Sequence, residues 1–192
     1  MNKDRQIAEM VGALSDFLRF SLNKGEEFCE VQQEISHAQN YAYIQSIRFP
    51  EQFEIEFFID PEMLHTPMLK LLLQPLIENS LIHGIQKKKE KGQIYVHGER
   101  LGDEMTFVVE DTGVGMEDSK LRDIQRLLAQ SDNGVRQVKE PRKPVSSYGL
   151  LNVHQRLLLH YGYGNKSGLR VDSKAGKGTR ISFTIPINDT LS

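Results

Sequence analysis

Residues 71–84 read LLLQPLIENSLIHG. Around this stretch Leu69, Leu72, Leu73, Leu76, Ile77 and Leu81 recur at spacings of three and four, which predicts a helix beginning near Thr66. Pro67 would lie in its first turn, where a missing N–H costs nothing. Pro75 falls inside the span and is expected to kink it. Glu78, Asn79 and His83 interrupt the apolar run, and Asn79 and His83, four residues apart, share one face. An Asn amide oxygen can ligate Mg²⁺ and an imidazole can donate to a phosphate. Taken alone, the signal is weak, and the same residues read first as the polar edge of an amphipathic helix.

Downstream the period changes from helix to sheet. Ile94, Val96 and Gly98, then Met105, Phe107 and Val109, alternate with polar residues, and Leu101, Gly102 and Asp103 join them as a hairpin. The second strand runs into Asp111, Thr112, Gly113, Val114, Gly115 and Met116. A carboxylate there can accept the exocyclic amine of adenine, and two glycines let the backbone approach a flat base that a Cβ would obstruct. Residues 117–147 combine a short helical pattern (Leu121, Ile124, Leu127, Leu128) with a polar run containing Pro141 and Pro144, the composition of a lid or of a disordered loop. Ser147, Tyr148, Gly149, Leu150, Leu151 and Asn152 then enter a helix carrying Leu150, Val153, Leu157 and Tyr161 on one face. Free N–H groups at such a start suit a triphosphate. Alternation at Leu169 and Val171, a turn at Gly176, Lys177, Gly178 and Thr179, and a strand through Ile181, Phe183 and Ile185 complete the pattern.

Upstream, Ile7, Met10, Val11, Leu14, Leu18 and Leu22 predict a helix over about Asp4 to Leu22, and a second spans about Val31 to Arg48. Asn23, Lys24 and Gly25 separate them, so the two form a helical hairpin that Pro50 ends. His37 reads as a solvated residue of the second helix. Phe53, Ile55, Phe57 and Ile59 then alternate with acids as a half-buried strand. With strands and helices not strictly alternating, the fold class is α+β: a two-layer sandwich, one mixed sheet covered by helices, preceded by the helical hairpin. The division is residues 1–49 and residues 50–192.

Composition narrows the function classes. The 192 residues hold 24 Lys plus Arg against 26 Asp plus Glu, a net charge of −2, whereas nucleic-acid domains usually carry a basic excess. One cysteine, Cys29, excludes an internal disulfide framework and a multi-cysteine zinc site. No window approaches about 18 uninterrupted apolar residues, so the chain reads as cytoplasmic. It starts inside a helix and reads as cut from something longer.

The order of the motifs is more specific than any one of them. An Asn helix, an Asp and glycine loop, a long polar segment, a glycine helix start and a Gly-x-Gly-Thr turn follow one another, resembling the N, G1, G2 and G3 boxes of the GHKL (Bergerat) ATP-binding fold. Residues 71–84, and Tyr43, Ile44, Gln45, Ser46, Ile47, Arg48 and Phe49 ahead of the first strand, resemble the LytS/YesM type of sensor histidine kinase. The resemblance covers roughly residues 14–187.

It implies ATP and Mg²⁺ as cofactors, transfer of the γ-phosphoryl group to a histidine, and relay to the receiver domain of a response regulator. Asn79 would hold Mg²⁺ and His83 would lie near the phosphates or ribose. Asp111 would bind the adenine amine, supported by Thr179 beside Gly178. Gly113, Gly115 and Met116 would line the base pocket, while Gly149, Leu150 and Asn152 would meet the phosphates under a lid of residues 117–147. Glu78 would assist metal or proton handling. Residues 1–49 would be part of a dimerising stalk, although their apolar stripe could instead pack on the domain, and the parent protein would be anchored in the cell membrane.

Two departures stand out. Ser147 replaces the first glycine of the phosphate loop, and none of the six histidines is followed by the family's Phe, Leu, Tyr, Asn acceptor pattern, so the acceptor would lie upstream. Two alternatives share the boxes. ATP-hydrolysing machines place a Glu four residues before the Asn, where this chain has Pro75. Anti-sigma-type serine kinases or protein-binding modules lack the stretch from Tyr43 to Phe49.

Overall fold

Alternation of apolar and polar residues builds one mixed sheet, and helices cover one face of it. The computed structural model describes residues 3–22, 25–132, 148–162 and 168–187. Its elements are α1 (Lys3–Leu22), β1 (Phe28–Glu30), α2 (Val31–Arg48), β2 (Phe53–Ile59), β3 (Pro67–Leu69), α3 (Leu73–Asn79), a π-helical continuation (Ser80–Ile85), β4 (Gly92–Leu101), β5 (Glu104–Asp111), α4 (Asp118–Asp132), α5 (Tyr148–Tyr161), β6 (Arg170–Lys174) and β7 (Gly178–Pro186). The main sheet has the order β2-β4-β5-β7-β6; β2 runs parallel to β4 and the other pairs are antiparallel. The α+β sandwich expected from the sequence is the fold.

The period of two sorts each strand between core and open face. Ile94, Val96, Phe107, Val109, Ile181 and Phe183 are buried under the helices, with the Phe107 and Phe183 rings stacked at 5.2 Å. Leu73, Leu76 and Ile77 of α3 and Leu150, Val153 and Leu157 of α5 fill the other side of that core. The lid expected over 117–147 begins as α4, whose Ile124 and Leu128 are buried; residues 133–147 lie outside the described residues.

Three expectations are corrected. No helix starts at Thr66. Residues 67–69 form β3, paired antiparallel with β1, a strand for which the sequence pattern carries no expectation. α3 starts only at Leu73, so Pro75 is its third residue rather than an internal kink, and its missing N–H falls among the unpaired donors of a first turn. Finally, His37 is not solvated. It is 2% exposed, stacked on Phe17 and Phe20 of α1 at 4.5 Å, with Nε2 donating to Gln74 Oε1 at 3.0 Å. Burial pushes its pKa down.

The amphipathic hairpin divides its labour. α2 buries Val31, Ile35, Ala38, Tyr41 and Ala42, whereas α1 turns Phe17 and Phe20 inward and leaves Ile7, Val11, Leu14, Leu18 and Leu22 between 41% and 65% exposed.

The placement of Pro75 has a measurable sign. Pro75→Ala should destabilise the chain by about 0.4–1 kcal/mol in urea unfolding, because a proline compatible with its site stiffens the unfolded state. A proline that kinked a longer helix would instead give a gain in stability on replacement.

Candidate functional site

Asp111 ends β5 on the core face, directly across from Thr179 of β7, so strand register alone brings the two side chains together. The carboxylate is 2% exposed. Its Oδ1 accepts from the Gly113 amide at 2.8 Å, while Oδ2 is buried without a hydrogen-bond partner, as is the neighbouring Ser80 hydroxyl. Burial pushes the Asp111 pKa up, against the pull of the nearby Gly113 and Thr179 amides and the Ser80 hydroxyl. A buried acceptor left unsatisfied costs on the order of 1–3 kcal/mol and marks a place where a donor belongs.

The loop after Asp111 is held tightly. The Val114 amide donates to the Gly84 carbonyl at 3.1 Å, the Gly176 amide donates to the Val114 carbonyl at 2.7 Å, and Gln93 and Thr112 bond both ways. This packing needs glycine at close approaches. A Cβ on Gly113 would sit 2.5 Å from Gly84 Cα, and a Cβ on Gly84 would sit 2.8 Å from Asp111 Oδ1. Gly115, with φ +64°, and Gly178, with φ +101°, adopt the left-handed region and would drive a Cβ into the carbonyls of Lys174 and Asp111. The glycines are thus required by the protein's own backbone.

Past Asn79 the α-helix loosens into the π-helical turn, in which the Gln86 amide donates to the Leu81 carbonyl, five residues back, at 2.9 Å. Asn79, His83 and Gly84 of this segment, Asp111, Gly115, Met116, Thr179, and Lys120 and Ile124 of α4 line one cleft of about 340 Å³. A wider recess of about 700 Å³ shares Asn79 and His83 and adds Pro75, Glu78, Ile82, Gly149 and Leu150. Gly113 and Gly178 line neither part; they lie close against Gly84 and the Asp111 carbonyl respectively. Asn152 is exposed and lines neither part.

Lys120 and Ser80 were not singled out from the sequence. Lys120 sits in the first turn of α4, where the helix dipole disfavours a cation, and that misplacement is the signal that could have found it. His83 is pushed below its ordinary pKa by burial and by Lys87 and Lys120, and Lys120 in turn by burial and Lys87. Both shifts favour the neutral forms, so His83 meets the cleft as an uncharged imidazole beside Lys120, while the floor holds the Asp111 carboxyl with an oxygen that has no hydrogen-bond partner.

Residues 65–189 match the family model of histidine kinase-, DNA gyrase B- and HSP90-like ATPases. This chain belongs to that ATPase family. Membership of that family implies that the chain binds ATP. Residues 1–53 match a second family model, that of histidine kinases. Sensor histidine kinase YesM of Bacillus subtilis is 31% identical over 190 residues, 99% of this chain and 29% of that protein. Sensor protein LytS of Bacillus anthracis is 28% identical over 174 residues, 90% of this chain and 27% of that protein. The chain thus spans less than a third of these relatives. Among solved structures, the histidine kinase domain of a blue-light activated kinase from Erythrobacter litoralis superposes with a TM-score of 0.53 at 14% identity, over 95% of this chain and 75% of that one, which shows the shared fold.

Burying the Asp111 carboxyl carries a stability cost. Its folded pKa is raised, so the folded state holds its proton more tightly, and stability falls as pH rises above the ordinary aspartate range. Asp111→Asn should therefore melt higher than wild type at pH 7 in a thermal scan, with the advantage closing as pH falls into that range. A variant that melts lower at pH 7 contradicts this.

Proposed function

We propose that the chain is the ATP-binding catalytic region of a sensor histidine kinase, which transfers the γ-phosphoryl group of ATP to a histidine of the longer protein. The observation that carries the reading is the convergence of Asn79, His83, Asp111, Gly115, Met116 and Thr179, far apart in sequence, on one cleft whose floor keeps an unpaired carboxylate oxygen. Asp111 Oδ2 accepts the 6-amino group of adenine, with Thr179 on the same edge. Gly113 and Gly178 hold the backbone behind it, and Met116 packs on the base. His83, Lys120 and the backbone at Gly149 and Leu150 face the phosphates. Asn152, on the exposed side of α5, is left without a role at the nucleotide.

Asn79 presents one neutral oxygen to the cleft. Among the described residues no group of three or more His, Cys, Asp or Glu could hold a metal. A single amide oxygen completed by phosphates and water is the kind of site Mg²⁺ takes. When bound with ATP, Mg²⁺ would withdraw charge from the phosphate oxygens. In the transfer the bond from the γ-phosphorus to the β,γ-bridging oxygen breaks. A bond from phosphorus to an imidazole nitrogen forms, ADP leaves with the electron pair, and the imidazole gives up its proton. This chain's residues orient and neutralise, which is most of what phosphoryl transfer asks of a protein. Glu78, in the wider recess beside Asn79, stands where a proton could be received.

The phosphoryl group passes on to a response-regulator receiver domain. The exposed stripe on α1 suits pairing with a second copy, since Ile7, Val11, Leu14 and Leu18 alternate spacings of four and three as in a helical bundle seam. Residues 1–49 would then be stalk and 50–192 catalytic domain. Among the described residues no helix is long and apolar enough to cross a membrane. Membrane attachment of the parent would come from segments outside this chain.

Titration calorimetry with ATP checks the site. Asp111→Asn should abolish binding, and Asn79→Ala should bind ATP equally with and without Mg²⁺. Lys120→Ala should weaken ATP about tenfold, as for a lost hydrogen bond to a charged group, and leave adenosine unaffected. Unchanged binding in the first two variants would sink the assignment.

A further inference from the structure

Glu34 lies on α2, outside the ATPase family match at residues 65–189, and is 0% exposed. Its Oε1 accepts from the amides of Leu72 and Leu73 at 2.7 and 2.8 Å, and its Oε2 from the amide of Leu71 at 2.8 Å. These amides lead into and begin α3, whose own N-cap is Leu72, a residue with no side-chain acceptor. The cap is thus supplied by a different helix.

The carbonyl side of the same turn is held as well. Arg156 of α5 donates Nη1 to the Leu71 carbonyl at 3.1 Å and Nη2 to the Lys70 carbonyl at 2.6 Å. Leu71, gripped at both its amide and its carbonyl, has φ +57°, a conformation that costs a non-glycine residue free energy unless its surroundings impose it. Around it the Val31 amide donates to the Thr66 carbonyl at 3.0 Å and the Gln32 amide to the Leu64 carbonyl at 2.9 Å. Two helical turns beyond the clamp, the same rigid segment presents Asn79 to the cleft.

We propose that Glu34 is a positioning residue for the nucleotide site: by fixing the start of α3 it sets where Asn79 meets the metal and phosphates of ATP, so that helix α2 and the cleft move as one unit. The inference rests on the ATP-site reading above. A Gln at this position would turn an NH₂ toward the amide of Leu71 or of Leu72, donor against donor, without removing the side chain's bulk.

The test measures ATP affinity by calorimetry, with and without Mg²⁺, at a temperature where every variant is folded by circular dichroism. The chain is compared with Glu34→Gln and with Ile185→Ala, a core truncation at the far end of β7 chosen to lower stability. Glu34→Gln is expected to lose at least about tenfold of the Mg²⁺-dependent part of the affinity, the range seen when the support of a metal ligand is removed. It should keep its Mg²⁺-free affinity, and Ile185→Ala should keep both. If Glu34→Gln does not fold, Arg156→Lys, which loosens the same turn from its carbonyl side, must show the same selective loss. Wild-type Mg²⁺ dependence in Glu34→Gln, in Arg156→Lys standing in for it, or an equal loss in Ile185→Ala, overturns the proposal while leaving the ATP site standing. Failure of the wild-type chain to bind ATP overturns both.

Discussion

Among the described residues two carboxylates are buried, Glu34 and Asp111, and they hold opposite ends of one helical segment. Glu34 receives the amides at the start of α3, and Asp111 lies against Gly84 and Ser80 of the π-helical turn that continues it. Removing such a charge from water costs several kcal/mol unless it is compensated. For Glu34 the compensation is three N–H donors and the nearby Arg156. For Asp111 it is partial, since one oxygen finds no partner. The first end is fully hydrogen-bonded; the second keeps one oxygen without a partner.

Much of the surrounding architecture follows from keeping this segment in place. The β1 and β3 ribbon and the bonds from residues 31 and 32 to 66 and 64 tie the α2 start to the loop before α3. α5 reaches the same loop twice, through Arg156 and through the Tyr161 hydroxyl, which accepts from the Leu69 amide at 3.1 Å. On the other side, β5 and β7 present Asp111 and Thr179 in register, and the tightly packed glycine loop shapes the wall beside them. The cleft is thus assembled from elements that meet only after the sheet and the helical layer have both formed.

The elements legible in the sequence are those with a sustained period. Both long helices and the strands from Phe53 to Ile59 and Met105 to Val109 show it plainly, and the ordered boxes pointed to the cleft. Where the signal failed, the physics was local or tertiary. β1 and β3 have three residues each, too few for a period of two to register, and the apolar run from Met68 to Leu73 fits helix, strand or turn alike. Glu34 and His37 fall within the apolar face of α2, spaced three and four from Val31, Ala38 and Tyr41. That is a cue, but their partners lie about 37 residues away and no local pattern names them. Gly113 and Gly115 were expected to leave room for a flat base. The atoms that a Cβ on them would meet belong to the protein itself, to Gly84 and Lys174.

In the proposed site adenine lies between the π-helical turn and the end of β5. Photolabelling with 8-azido-ATP followed by peptide mapping tests it most directly. Modification is expected within residues 79–84 and 111–116 or at the start of β7, suppressed by excess ATP. Modification confined to the cavity among Phe20, Lys70, Arg156 and His160, or none that ATP suppresses, would contradict it.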